Sequence, residues 1–202
     1  KKLVKGIDLN AQFIAEAQGK DTGVSEPEFE KVFLRTLRER GARYDAILFT
    51  SVLHEFYTYG GGMAAVLKGI ADAYRILEPG GRIIIRDMIL SEDSKEENED
   101  ATTILQKIHS NETLQSYRKD FEQEHGSINS LYRATHFLLK YFYTDNWKRE
   151  CFEHYVPVTN EDYESIAELL DAKIIHNEPY CLPFLKEKWR VDFNFDDNEL
   201  AQ

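Results

Sequence analysis

Three short stretches carry residues whose types and order could do chemistry. The first is Gly6-Ile7-Asp8-Leu9-Asn10, where an acid closes a short apolar run. A carboxylate at the carboxyl end of a buried strand can accept hydrogen bonds from the two hydroxyls of a ribose. The same residue could simply cap a following helix. The second is Thr50-Ser51-Val52-Leu53-His54-Glu55. Small hydroxyl residues leave room for a ligand, and the histidine that follows can carry a proton near neutral pH, with Glu55 a candidate to set its tautomer. Adjacent residues rarely face each other, so a His54 that only packs or caps the turn is the competing reading. The third is Arg86-Asp87, behind the apolar run Ile83 to Ile85. A charged pair there must reach a rim or a mouth, because burying it unpaired is costly. A plain salt bridge at the rim would satisfy the same requirement.

The elements that must position these residues follow from periodicity. Leu3 to Asn10 reads as a buried parallel strand, and Phe13, Ile14 and Ala17 give the next ten residues helical spacing, stopped by Gly19. Pro27 is placed to begin a second helix with Phe29, Val32, Phe33 and Leu37 on one face and Gly41 at its end. Tyr44 to Ser51 is a strand of the kind buried on both faces. Gly60 to Gly62 break the chain, Met63 to Leu77 predict a long amphipathic helix, and Glu78-Pro79-Gly80-Gly81 lead into a strand over Arg82 to Leu90. Strand, helix and strand in this order predict an α/β sheet with parallel crossovers.

Beyond Ser91 the pattern changes. A polar, acidic stretch precedes a helical segment over Ala101 to Tyr155 that carries Phe137, Tyr141, Phe142, Tyr143, Trp147, Phe152 and Tyr155. Thr159 is placed to cap a helix with acids in its first turn. Residues 172–180 and 186–195 read as two strands turning at Pro183, an antiparallel hairpin at a sheet edge.

Composition sets the outer bounds. The chain has 202 residues, 42% hydrophobic and 30% charged, enough for one core with a modest addition. No apolar run approaches the roughly 20 residues that cross a membrane. A net charge of −11 argues against a nucleic-acid partner. The cluster Arg35, Arg38, Arg40 and Arg43 reads as the solvated face of a helix. Cys151 and Cys181 form neither a disulfide framework nor a zinc spacing, so a reducing, cytoplasmic setting is expected. The chain lacks an initiator Met, and so is expected to start inside a longer polypeptide.

Taken together, GIDLN, YDAILFTSVLHEF and AAVLKGIADAYRILEPGGRIIIRDMI resemble the second strand, the fourth strand, and the following helix and fifth strand of the class I S-adenosylmethionine-dependent methyltransferases. The resemblance implies a Rossmann-like sheet, mostly parallel, ending in the antiparallel hairpin. It divides the chain into a partial cofactor-binding core (1–90), a helical cap (91–156) and a closing helix and hairpin of the same core (157–202). It implies that Asp8 and Leu9 lie at the cofactor ribose, and Asp21 at the adenine. Thr50, Ser51, Val52 and Leu53 would lie along the methionine portion, with His54 and Glu55 catalytic. Tyr57, Arg86, Tyr141 and Trp147 are the candidates for holding the methyl acceptor. The family's glycine-rich loop belongs before Lys1, and its third strand is not evident. Carboxylates of metal-dependent members stand where Thr50 and Ser51 stand, so no metal is expected. The implied activity is methyl transfer to O, N or C of a small or medium-sized acceptor, with no membrane partner. Methylation of RNA or protein, and a degenerate module that binds without catalysis, are the alternatives.

Overall fold

The strand read at the start of the chain is β1, Lys5–Asp8, and its partner is a segment expected to be helical. In the computed structural model, which describes residues 4–20, 23, 27–96 and 101–201, Glu28–Lys31 form β2, paired in parallel with β1. The alternation Glu28-Phe29-Glu30 explains the change. The register sets Phe29 opposite Gly6, and a Cβ on Gly6 would stand 2.6 Å from the Phe29 ring, so glycine is required there. The Lys5 ammonium reaches Glu30 at 2.6 Å and Glu28 at 3.6 Å. These contacts with β1 outweigh local helix preference. The expected helix shrinks to α2, Leu34–Glu39, and β2 is a strand that the sequence pattern did not indicate.

Between β1 and β2, α1 spans Ala11–Gln18, capped by the Asn10 side chain on the Gln12 N–H. Asp21 lies outside the described residues. Farther on, β3 (Tyr44–Thr50) and β4 (Leu77–Arg86) form a second pair. The Tyr44 N–H donates to Ile76 O and the Ser51 N–H to Arg86 O, so the strands run parallel. Helices α3 (Leu53–Gly60) and α4 (Met63–Arg75) make the crossover. The Pro79-Gly80-Gly81 turn is absorbed into β4, where a Cβ on Gly81 would stand 3.0 Å from the Asp45 carbonyl oxygen.

β3 is not buried on both faces as expected. Phe49 is its buried residue, whereas Leu48 is 63% exposed and Ile84 on β4 is 50% exposed. The physical reason is the sheet's size: β1–β2 and β3–β4 are separate two-stranded sheets, and among the described residues no strand joins them. A small cluster of Val32, Leu37 and Ile76, with Ile7, Tyr44 and Ile47 against it, holds this part together.

By contact the chain divides into one unit of residues 1–49 and 67–85 and another of residues 50–66 and 86–202. The second is helical: α5 (Ala101–Ser110), α6 (Gln115–His125), α7 (Leu131–Leu138), α8 (Trp147–Phe152), α9 (Asn160–Leu169) and α10 (Pro183–Phe193). Thr159 and Asp162 form a capping box at the start of α9.

The antiparallel hairpin is absent: residues 172–182 form no regular element and α10 occupies the second expected strand. Pro183 suits the first helical turn, and Leu185, Trp189 and Phe193 recur every four residues, all buried. Their cluster contains Ile104, Ile108, Phe121, Phe137 and Tyr141, so residues 183–195 pack into the helical unit, not into the α/β core. The Trp189 Nε1–H bond to the Leu138 carbonyl ties α10 to the end of α7.

Candidate functional site

The chemistry of the helical unit gathers where α3 begins. No side chain of the preceding residue, Val52, caps this helix. Instead Asp87, just past the end of β4, takes the Val52 and Leu53 N–H groups on Oδ2 at 3.1 and 2.8 Å, and the Met88 N–H on Oδ1 at 3.0 Å. A carboxylate at the helix start also complements its dipole. Oδ1 further lies 3.0 Å from His54 Nδ1. Oδ1 already accepts the Met88 N–H, so the arrangement suits a tautomer in which Nδ1–H donates to Asp87 and Nε2 keeps its lone pair. Asp87, not the neighbouring Glu55, sets the tautomer of His54.

The free nitrogen faces a second acid. His54 Nε2 lies 3.8 Å from Glu153 Oε2; His54 is 6% and Glu153 2% exposed. The other oxygen of Glu153 accepts from the Tyr59 hydroxyl and from Arg149 Nε, each at 2.8 Å. Arg149 also reaches Glu55 at 3.2 Å, and its hydrogen bond to Glu153 raises its pKa further. Burial, then Glu153, pushes the Tyr59 hydroxyl upward. The Tyr155 ring lies 5.3 Å from that of His54. Glu153, Arg149 and Tyr59 escaped the sequence reading; the signal available was the four-residue spacing of Arg149 and Glu153 at the end of α8.

The other candidates fall in different places. Ser51 takes a left-handed backbone with φ +49°, a strained conformation of the kind found at functional turns. Leu53 is fully buried, and its N–H and that of Val52 are spent on Asp87. Tyr57 packs its ring 5.1 Å from that of His154. Arg86 does not pair with Asp87; its Nε donates to the Tyr180 hydroxyl at 2.8 Å. Tyr141 is a core residue bonded to Asp192, and the Trp147 indole donates to Asp120 against the Tyr117 ring. Asp8, in the other unit, is exposed at the carboxyl end of β1, with one oxygen on the Asn10 N–H at 2.6 Å. The arginine cluster there is paired throughout: Arg38 with Asp72, Arg40 with Glu30, Arg35 with Glu39, and Arg43 on the Arg75 carbonyl.

Residues 2–85 match the family model described as a methyltransferase domain. This segment is similar to a methyltransferase domain. No curated protein and no solved structure matches the chain. Members of this family typically use S-adenosylmethionine. Within the domain, Asp8 suits such a cofactor: it is solvent-facing at a strand's carboxyl end, and Asn10, not Asp8, caps α1. The domain ends at residue 85, just before Asp87, the carboxylate that holds His54. Among the described residues, His54, Glu55 and Glu153 also offer one ligand atom each within 4.8 Å of one another, a set that could hold a divalent ion. No helix of the described residues is long and apolar enough to cross a membrane.

Proposed function

We propose that this protein transfers a methyl group from S-adenosylmethionine to an oxygen or nitrogen of a small or medium-sized acceptor, with His54 as general base. The match of residues 2–85 to a methyltransferase domain is the observation that carries methyl transfer. The bonds of Asp87 to His54 support the role of the histidine. The cofactor supplies an electrophilic methyl carbon, and the chain's residues do the rest.

Within its own unit Asp8, with Leu9 beside it, would accept from the ribose hydroxyls. His54 Nε2 would take the proton of the acceptor as the acceptor's lone pair bonds the methyl carbon and the carbon–sulfur bond breaks, with the sulfur leaving as a neutral thioether. The imidazolium so formed lies between the carboxylates of Asp87 and Glu153, which stabilise its charge in a site shielded from water. Arg149 and Tyr59 hold Glu153 in place while this happens.

Calorimetry with S-adenosylmethionine tests the reading. Heat of binding and a rise in melting temperature are expected, and Asp8→Ala should weaken binding about tenfold or more, on the scale of a lost charged hydrogen bond. Neither heat nor thermal shift in the unsubstituted protein would overturn the proposal. For His54→Ala, cofactor binding should persist while turnover falls by about 10² to 10⁴; full turnover would remove His54 from catalysis.

A further inference from the structure

Three imidazoles converge in the core of the helical unit. His125 ends α6, His136 lies in α7, and His154 follows α8. One nitrogen of each lies within 4.8 Å of the other two. The ring centroids are 4.4 Å apart for His125 and His136, and 4.7 Å for His136 and His154, which stack.

Polar rings so placed require an explanation, because a buried nitrogen without a partner costs about 1–3 kcal/mol. Nδ1 of His136, whose side chain is fully buried, has no hydrogen-bond partner, and neither has Nδ1 of His154. His125 is oriented from behind: its Nε2 donates to the Cys151 carbonyl at 2.6 Å, which leaves the lone pair on Nδ1. An N–H donated to a carbonyl on the far side of the ring is the usual support of a metal-binding histidine. His136 Nε2 accepts the Tyr155 N–H at 3.1 Å, so its Nδ1 carries the ring's one proton; to ligate there the ring releases that proton to solvent and binds as an imidazolate that keeps the Tyr155 bond.

We propose that His125, His136 and His154 form a site for one divalent transition-metal ion, Zn²⁺ by its chemistry. A set made only of imidazoles favours zinc-like ions over magnesium or calcium, which take oxygen ligands. Tetrahedral zinc with bonds of about 2.0–2.1 Å sets its nitrogens roughly 3.4 Å apart, so the rings draw together by about 1 Å on loading. Three protein ligands leave a fourth position. His154 lines a cavity of about 310 Å³ next to the three rings, together with Lys95, Asn129, Ser130, Tyr132 and Arg133. Lys95 and Arg133 there suit an anionic fourth ligand. Lys140, anchored on the Cys151 and Glu153 carbonyls, opposes the ion's charge and lowers its affinity.

The three histidines are not among the residues of the proposed methyl transfer, and the test needs no turnover. The full chain, stripped with a chelator, is titrated with zinc sulfate by calorimetry, and the loaded protein is read by X-ray absorption. One ion per chain and a first shell containing three imidazole nitrogens are expected. His125→Gln and His154→Gln should each weaken zinc binding about tenfold or more, and His176→Gln, an exposed residue paired with Glu178, should leave it unchanged. Absence of zinc binding in the unsubstituted chain would overturn the proposal. So would binding that survives His125→Gln and His154→Gln but is lost in His54→Gln, which assigns the ion to His54, Glu55 and Glu153. The absorption spectrum of the unsubstituted protein decides the ligands even if a variant fails to fold.

Discussion

Asp87 does two jobs with one carboxylate: it caps α3 and it orients His54. The two can be separated by substitution. Asp87→Asn keeps an oxygen for the helix N–H groups but removes the charge that stabilises the imidazolium. Turnover should then fall by about 10²–10³ and its pH dependence should change, with cofactor affinity retained. Asp87→Ala removes the cap as well, leaving the Val52, Leu53 and Met88 N–H groups without this acceptor. Urea denaturation should show an added loss of about 1–3 kcal/mol relative to Asp87→Asn. At this scale the sequence named His54 and placed Asp87 at a strand end. It could not name the partner of either, because Asp87 is 33 residues from His54 in the chain and Glu153 lies just past the end of α8.

At the scale of elements, β2 and α10 are where local pattern and observed structure part. Residues 186–195 alternate enough to read as a strand, yet a strand would set Trp189, Val191 and Phe193 on one face. The helix buries Trp189 and Phe193 and leaves Val191 74% exposed. Chemical denaturation distinguishes the two arrangements. Phe193→Ala should cost about 3–5 kcal/mol, and Val191→Asp should stay within about 0.5 kcal/mol. In β1, Gly6→Ala sets a methyl group against the Phe29 ring and should cost about 1–3 kcal/mol. The strand β2 was hidden because four residues carry too little periodicity of their own. Its pairing with β1 defines it.

Over the whole molecule, the buried bases make stability depend on pH. Desolvation holds His125 and His154 down at about 4, and His136 well below its ordinary value. Desolvation likewise lowers Lys140 to about 7. In each case the unfolded chain binds protons that the folded chain does not, so stability rises with pH. The histidine contribution is gained between about 4 and 6.5, and that of Lys140 between about 7 and 10.5. Melting temperatures of the chelator-treated protein, measured from pH 4 to pH 10, should climb through both windows. A profile that falls across the lower one would show that these histidines take up protons in the folded chain.

The methyltransferase reading was available from the residues alone, because it rests on order and spacing along a contiguous stretch. Strand, turn and helix signals repeat within residues 2–85, and each is local. The helix cap at Thr159 was legible for the same reason, and the structure adds the reciprocal bond from Asp162. The Asp87–His54–Glu153 line, the convergence of His125, His136 and His154, and the fate of residues 172–195 were not. Each depends on groups brought together from distant parts of the chain by burial of apolar surface. The cost of leaving buried polar atoms unpaired then selects their partners, and no local period records that selection.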